Sequence, residues 1–356
     1  MRYPDFLPKG GTIGFIAPSF GCATEPYRAA FDNAQRWLRE MGYRLALGPN
    51  CYEDNGIGIS NTPEKCGREV MEMFLSGKPD CVISCGGGEL MCEILPFVDF
   101  ESLAAAKPVW FMGYSDNTNL TFLLATLADT ASVYGPCAGT FGMEPWHESV
   151  ADALGVLTGE RLSVHGYGLW EKESLKNGEN PLAPYHVTEP LELRSFIGKK
   201  EIEKAGNDLQ GCARGARLQF SGRLLGGCMD CLVNLTGTGF DRTAEFAERY
   251  KEDGIIWFLE SCELNVFSIR RAMWQMEQAG WFGHVKGFLI GRPQNGEPLM
   301  GLDRYEAVLE TAGKFNVPVV MDVDLGHLPP MMPLVTGSVA NVAVEGNDIA
   351  IDMEFR

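Results

Sequence analysis

Short apolar runs alternate with amphipathic stretches along the first half of the chain. The runs that predict buried strands are Thr12–Ala17, Cys81–Cys85 and Val109–Tyr114. The stretches with apolar residues at helical spacing are Pro26–Met41, Pro63–Leu75 and Asn117–Ala128. This alternation predicts a parallel sheet with helices on its faces. In such sheets functional residues collect at the carboxyl ends of strands, where Ser19, three glycines (Gly86, Gly87 and Gly88) and Ser115 are found.

The second half of the chain has a mixed pattern. Strands are predicted over Leu218–Leu224, Ile255–Leu259, Val285–Ile290 and Val317–Asp322, and helices over Asn265–Gln278 and Tyr305–Lys314. The tail from Ala340 to Phe355 alternates apolar and polar residues around Gly346 and Asn347, which predicts a hairpin. We therefore predict an N-terminal α/β domain over 1–160, a polar connector that makes a loop excursion over 161–215, and a C-terminal mixed α/β domain over 216–356.

The net charge limits the binding partners that we expect, and the cysteine content indicates the cellular compartment. The chain of 356 residues has a formal net charge of −17, and such an acidic surface repels nucleic acid and anionic membranes. The 11 cysteines are an odd number spread over predicted strands and helices, which is typical of buried thiols in a reducing compartment. Neither a secretory signal nor a membrane-spanning apolar run is found, so we expect a cytoplasmic protein.

Ser115 lies between a predicted strand and a predicted helix, two residues after Gly113. This arrangement resembles a nucleophile elbow, in which a tight turn projects the hydroxyl above the sheet. The N–H groups at the start of the following helix could then stabilise an oxyanion. Asn117 stands where the motif has its second glycine. The alternative interpretation is that Ser115 or Asp116 only caps the helix.

The three consecutive glycines form a second candidate feature, referred to below as the glycine turn (Gly86, Gly87 and Gly88). Glycines permit unusual backbone angles and close approach of a ligand to the backbone. The turn could donate an N–H to an oxyanion, hold a phosphate, or merely connect a strand to a helix. Neither a Walker lysine nor G-x-G-x-x-G spacing accompanies it, so a nucleotide-binding loop is poorly supported.

A serine nucleophile needs a base, and the chain has five histidines. His327 lies at the end of a predicted strand, beside Gly326 and two prolines, in a rigid setting that suits a catalytic histidine. Glu260 ends an apolar strand, where a buried carboxylate could accept the Nδ1 hydrogen of a histidine. The alternatives are a structural histidine and a carboxylate that pairs with a helix N-terminus, the latter fitting Glu263 better than Glu260.

Cys228 and Cys231 have the C-x-x-C spacing of redox or zinc sites. No second pair of cysteines or histidines accompanies them at zinc-finger spacing, and the segment GGCMDCLVNL looks helical. We interpret both as core thiols, and we predict no metal site.

Several short motifs occur in order along nearly the whole chain. They are GTIGFIAPS (11–19), the glycine turn, LPFVDF (95–100), GYSD (113–116), YGP (134–136), GRLLGG (222–227), LESCE (259–263), GRP (291–293) and GH (326–327). Together they resemble the LD-carboxypeptidase family of serine peptidases, which includes the microcin C self-immunity proteins.

The resemblance implies a Ser-Glu-His triad formed by Ser115, Glu260 and His327. It implies a Rossmann-like N-terminal domain that carries the nucleophile, a C-terminal domain that carries the acid and base, and an active site in the cleft between them. The backbone N–H groups of Gly87 and Asp116 would form the oxyanion hole. The family is typically homodimeric and needs no cofactor.

The substrate remains open between two branches of the family. The glycine turn reads CGGGE, whereas carboxypeptidases of cell-wall recycling usually resemble RGGYG, and the long connector resembles the microcin-immunity branch. In that branch an aromatic residue stacks on the base of a peptidyl-nucleotide, a role that Trp170 could have, although a tryptophan in a loop is more often a packing anchor. We expect substrate contacts from Gly86, Gly88, Glu263 and Trp170.

Two functions follow as hypotheses. The first is an amide hydrolase that acts on a small peptide, such as a murein tetrapeptide, or on an aminoacyl-nucleotide. The second is a non-catalytic two-domain protein that binds a small ligand.

Overall fold

The computed structural model describes residues 1–202 and 217–356. These residues form two compact units. The N-terminal unit comprises Met1–Leu162, Glu173–His186 and Pro333–Gly337, and the C-terminal unit comprises Ser163–Lys172, Val187–Met332 and Ser338–Arg356. Residues 203–216, which include the last part of the predicted connector (203–215), lie outside the described residues.

The described residues contain strands and helices in alternation. The strands are β1 (Thr12–Ile16), β2 (Arg44–Leu47), β3 (Cys81–Ser84), β4 (Trp110–Gly113), β5 (Ser132–Tyr134), β6 (Ser163–His165), β7 (Leu169–Glu171), β8 (Val187–Pro190), β9 (Arg194–Ile197), β10 (Lys200–Glu201), β11 (Arg217–Cys228), β12 (Ile255–Glu260), β13 (Val285–Gly291), β14 (Pro318–Val323), β15 (Leu334–Thr336), β16 (Val339–Glu345) and β17 (Asp348–Glu354). The α-helices are α1 (Tyr27–Glu40), α2 (Pro63–Leu75), α3 (Phe100–Ala105), α4 (Thr118–Thr126), α5 (Glu148–Thr158), α6 (Met229–Leu235), α7 (Thr243–Arg249), α8 (Val266–Gln278) and α9 (Arg304–Ala312). Short 3₁₀ helices span Met91–Phe97, Ser115–Asn117, Ala138–Gly142 and Gly313–Phe315.

The N-terminal unit is built on one sheet with the strand order β15-β5-β4-β3-β1-β2. Strands β1 to β5 run parallel, and β15 pairs antiparallel with β5. The predicted parallel sheet is therefore confirmed. Helix α2 begins where the sequence places it, because Pro63 occupies its first turn and the Thr62 side chain accepts a hydrogen bond from the Lys65 N–H.

The C-terminal unit is built on a larger mixed sheet with the strand order β10-β9-β14-β13-β12-β11-β16-β17-β6. The central strands β11 to β14 are parallel, and the outer strands are antiparallel to their neighbours. This arrangement confirms the predicted mixed α/β fold. In the register of β11 and β12, Cys228 pairs with Glu260, so both lie at the carboxyl ends of neighbouring strands.

Two segments differ from their sequence interpretation. Strands β6 and β9, from the predicted connector, belong to the large sheet, and β7 pairs with β8 in a two-stranded sheet. Cys228 was expected inside a helix, but it is the last residue of β11 and only Cys231 lies in α6. The β-strand continues to Cys228 because seven consecutive buried residues, from Gly222 onward, suit an interior strand.

No helix of the described residues is long and apolar enough to cross a membrane. All nine residues of α4 are buried, but the helix is far shorter than a membrane span.

Candidate active site

Ser115 occupies a strained turn directly after β4. Its φ is +63°, in the left-handed region that residues other than glycine rarely adopt. Gly113 permits this turn, because a Cβ at Gly113 would lie 2.8 Å from Cβ of Asn117 and 3.2 Å from Cβ of Ser84. Strain at a serine after a sheet strand is the geometry of a nucleophile elbow. The capping interpretation is not supported, because α4 begins without a side-chain capping hydrogen bond.

The glycine turn lies against this serine. A Cβ at Gly87 would be 3.1 Å from both Cβ and Oγ of Ser115, so any side chain at this position would crowd the hydroxyl. The Gly86 carbonyl accepts a hydrogen bond from Asn117 Nδ2 at 2.8 Å. At Gly88, whose φ is +150°, a Cβ would lie 2.2 Å from Ser19 Oγ. The structure therefore brings together Ser115 and the glycine turn.

Asp116 and Asn117 anchor the turn, a role that the sequence interpretation missed. The buried Asp116 carboxylate accepts hydrogen bonds from Ser19 Oγ and from the Met91 N–H, the latter at 2.8 Å. Asn117 Nδ2 reaches the Gly86 carbonyl and, at 3.1 Å, the Tyr114 carbonyl. Asn117 replaces the second glycine of the elbow motif, and that departure was the available signal.

Glu260 and His327 form a close pair within the C-terminal unit. His327 Nδ1 lies 2.7 Å from Glu260 Oε2, and the Glu260 side chain is fully buried at the end of β12. A neutral imidazole that donates its Nδ1 hydrogen to a carboxylate keeps Nε2 as the acceptor that a general base requires. Glycines at 291 and 326 leave room for Glu260, because a Cβ at either position would approach it within 3.0 Å or less.

The surroundings of His327 change its basicity. Burial alone lowers the pKa of the imidazole, but the charge of Glu260 and hydrogen bonds to Cys262 and Glu260 outweigh it. The net result is a pKa well above the ordinary histidine value. An imidazolium formed during a reaction would therefore be stabilised here.

The other four histidines have different surroundings. His284 pairs with the exposed Glu248 at 2.8 Å, and His147 precedes α5 and accepts a hydrogen bond from the Ser149 N–H. His186 Nδ1 lies 3.4 Å from a backbone carbonyl, and His165 packs against Tyr167. The carboxylate beside His327 is fully buried, whereas the one beside His284 is exposed.

Trp170 and Glu263 have their own contacts in the C-terminal unit. The Trp170 ring is half-buried on β7, its Nε1 donates to the Pro190 carbonyl at 3.1 Å, and the Arg292 guanidinium lies 4.9 Å from its centre. Glu263 donates its backbone N–H to Asp230 at 2.9 Å. It does not cap α8, because the Asn265 side chain does so by accepting from the Ser268 N–H.

Within residues 1–202 and 217–356, one group of side chains could hold a metal ion. Ligand atoms of Cys228, Glu260 and His327 all lie within 4.8 Å of one another. The group contains the Glu260–His327 pair, with Cys228 added from the neighbouring strand.

Comparison with known protein families agrees with this arrangement of strands and motifs. Residues 13–135 match the model of the LD-carboxypeptidase N-terminal domain, and residues 221–342 match that of the C-terminal domain. The chain belongs to the LD-carboxypeptidase family. The two models together cover more than half of it, and the resemblance drawn from short motifs is confirmed.

Relatives of the LD-carboxypeptidase family match along the full chain. The microcin C7 self-immunity protein MccF of Escherichia coli is 23% identical over an alignment of 356 positions. The alignment covers 98% of this chain and 95% of the relative. A solved MccF structure in complex with glutamyl sulfamoyl guanosine has a TM-score of 0.78 at 21% identity, covering 99% of this chain and 98% of that one. The structure of an MccF-like protein from Bacillus anthracis has a TM-score of 0.79 at 22% identity, and the match covers 99% of this chain and 100% of that one. These structures establish the fold.

Proposed function

We propose that this chain is a serine hydrolase that cuts an amide bond, with Ser115 as nucleophile, His327 as general base and Glu260 as the group that orients the base. The Glu260–His327 contact of 2.7 Å carries the proposal, because a fully buried carboxylate on Nδ1 fixes the tautomer that a base needs. The strained backbone of Ser115 supports the role of nucleophile.

The chemistry follows from these groups. Ser115 Oγ attacks the amide carbonyl while His327 takes its proton, and Glu260 stabilises the resulting imidazolium. The backbone N–H groups of Gly87 and Asp116 would hold the oxyanion, an assignment that the close packing of Gly87 on Ser115 supports. The imidazolium protonates the leaving amine, and a water molecule then releases the acyl group from Ser115.

The proposed substrate is a small peptide or an aminoacyl-nucleotide. Solved MccF structures contain glutamyl sulfamoyl guanosine, aspartyl sulfamoyl adenosine and adenosine monophosphate. The half-buried Trp170 ring supports contact with a base, because aromatic rings stack on nucleobases. The murein tetrapeptide remains the competing substrate. We also propose a cytoplasmic homodimer, on the grounds of the cysteine pattern and the family resemblance.

The test is product release from two substrates offered in parallel, a murein tetrapeptide ending in D-alanine and an aspartyl sulfamoyl adenosine. We expect wild type to cleave one of them and Ser115→Ala to cleave neither. Glu260→Gln should lower kcat by roughly a hundredfold or more, as expected when the base loses its orienting carboxylate. Glu248→Gln is the matched control, since it alters an exposed glutamate–histidine pair and should retain full activity. Cleavage that survives Ser115→Ala would contradict the proposal.

A further inference from the structure

Three different metal-binding side chains converge at the carboxyl ends of the central strands of the C-terminal unit. Cys228 ends β11 and pairs in register with Glu260, which ends β12. His327 follows β14 and contacts Glu260 at 2.7 Å. Their ligand atoms lie within 4.8 Å of one another. The backbone pairing of Cys228 with Glu260 makes this proximity a property of the sheet rather than of side-chain rotamers alone.

We propose that Cys228, Glu260 and His327 form a Zn²⁺ site, and that occupation of the site inhibits the proposed hydrolase by capturing its base. The inhibitory part rests on the proposed function, whereas the binding part does not. Thiolate, carboxylate and imidazole are the three ligand types that zinc binds in proteins. With bond lengths of about 2.0 to 2.3 Å, a tetrahedral zinc ion holds its ligand atoms roughly 3.3 to 3.6 Å apart.

The geometry needs only a small adjustment to reach that arrangement. Ligand atoms as far as 4.8 Å apart must close by up to about 1.2 to 1.5 Å, and the 2.7 Å contact between His327 and Glu260 must open by about 0.6 to 0.9 Å. With three protein ligands, the fourth position falls to water, so the site would be an open one.

The charges around the three ligands favour a cation. The Asp230 carboxylate accepts a hydrogen bond from Cys228 Sγ at 3.3 Å, and the backbone N–H groups of Cys262 and Glu263 hold it in place at 3.1 and 2.9 Å. The carboxyl groups of Asp230 and Glu260 therefore flank the thiol. A carboxylate held against a metal ligand is the usual outer-shell arrangement of a metal site, and Asp230 has that position beside Cys228.

Access to the site decides how the ion would act. Cys228 and Glu260 are buried, with 2% and 0% of their surface exposed, whereas 12% of the His327 side chain is exposed. The ion therefore approaches past the imidazole. Once bound, it withdraws His327 and Glu260 from proton transfer, because a coordinated imidazole cannot accept the nucleophile's proton and the carboxylate no longer orients the ring.

The binding test uses full-length, reduced protein without an affinity tag, titrated with Co²⁺ as a spectroscopic probe. One equivalent of Co²⁺ should give a thiolate charge-transfer band in the near ultraviolet, and one equivalent of Zn²⁺ should abolish it. Cys228→Ser should remove the band and weaken Zn²⁺ binding at least tenfold, because loss of even an outer-shell partner typically costs about 10- to 100-fold in metal affinity. Cys231→Ser is the matched control, because Cys231 lies three residues along the chain and outside the ligand group. It should keep both the Co²⁺ band and the Zn²⁺ affinity.

The outcomes that overturn the site are distinct. A wild-type spectrum without a stoichiometric thiolate band contradicts the metal site by itself. The test therefore does not depend on whether Cys228→Ser folds. A band that survives in Cys228→Ser, or that disappears only in Cys231→Ser, also overturns it.

A second arm separates the metal site from the proposed catalysis. Ser115→Ala should bind Co²⁺ as wild type does, because Ser115 is not a ligand. One equivalent of Zn²⁺ should lower the hydrolysis rate of wild type at least tenfold, and EDTA should restore it. If neither substrate is cleaved but the band forms, the metal site stands and the hydrolase proposal falls. Stoichiometric binding with an unchanged rate overturns the inhibitory role.

Discussion

Gly326 lies so close to Glu260 that a Cβ at position 326 would be 2.4 Å from the carboxylate oxygen Oε2. The same oxygen contacts His327 Nδ1 at 2.7 Å. Because the φ of Gly326 is +99°, the backbone there also disfavours any residue with a side chain. The glycine before the histidine therefore gives the carboxylate the space in which it meets the imidazole.

Gly326→Ala should accordingly separate the pair. We expect kcat to fall about a hundredfold, because a displacement of about an ångström at a catalytic group costs that much. The control is Gly346→Ala in the β16–β17 hairpin, which has a φ of +63° and nothing within 4 Å of the added Cβ. It imposes comparable backbone strain without a collision, and its activity should match wild type. Equal activity in the two variants would show that the Gly326 contact is not needed.

The strain at Ser115 predicts a stability effect that is separate from activity. Ser115 has a φ of +63°, which costs a residue with a Cβ about 1 to 2 kcal/mol and costs glycine almost nothing. Ser115→Gly should therefore unfold at a higher urea concentration than Ser115→Ala, with a difference in unfolding free energy of about 1 kcal/mol. Both variants should be inactive, so the comparison isolates the backbone. A Ser115→Ala variant as stable as Ser115→Gly would contradict the strain.

Local sequence patterns predict most helices and strands, but they do not predict the pairing of strands that lie far apart in the sequence. The apolar spacing predicts helix α2, and the alternation around Gly346 predicts the β16–β17 hairpin. Strand β15 joins the N-terminal sheet from residues 334–336, far along the chain, and no local pattern encodes that pairing. The short, half-polar strands β6 and β9 look like loops because each is only three or four residues long.

In the candidate site, too, local sequence patterns identify single residues but not the contacts between residues far apart in the sequence. Ser115, Glu260 and His327 each end or follow an apolar strand, so the sequence singled them out. The anchoring role of Asp116 depends on Ser19 and on Met91, which lie far apart in sequence and meet only in the folded sheet. Likewise, the register that pairs Cys228 with Glu260 could not be obtained from a segment that looked helical.

Trp170 offers a test of substrate class. Its ring has Arg292 4.9 Å from its centre, and we expect it to stack on a nucleobase. Trp170→Ala should raise KM for aspartyl sulfamoyl adenosine about tenfold, which is in the lower range for a lost stacking contact. The KM for the murein tetrapeptide should stay unchanged. Trp170→Phe should recover most of the affinity, although it also lacks the hydrogen bond to Pro190. Trp274→Ala, at a ring with 57% exposure on α8, is the control. Equal effects on both substrates would exclude stacking.

Glu69 is a buried carboxylate in the N-terminal unit whose ionisation affects stability. It lies on α2 with 2% of its surface exposed, and it accepts hydrogen bonds from the Ala17 N–H at 2.9 Å and the Asn50 N–H at 2.8 Å. Burial raises the pKa of Glu69 from 4.5 to about 6, although these two N–H groups act in the opposite direction.

A folded-state pKa above the unfolded one means that the folded protein binds the proton more tightly. The contribution of Glu69 is therefore full below about pH 4.5 and is lost as pH rises through about 6. That loss is about 2 kcal/mol of unfolding free energy. Urea unfolding of wild type and Glu69→Gln at several pH values should show the difference between them changing by this amount. Glu64→Gln, an exposed carboxylate of the same helix, controls for the removal of a charge. Parallel stability profiles for wild type and Glu69→Gln across this range would contradict the prediction.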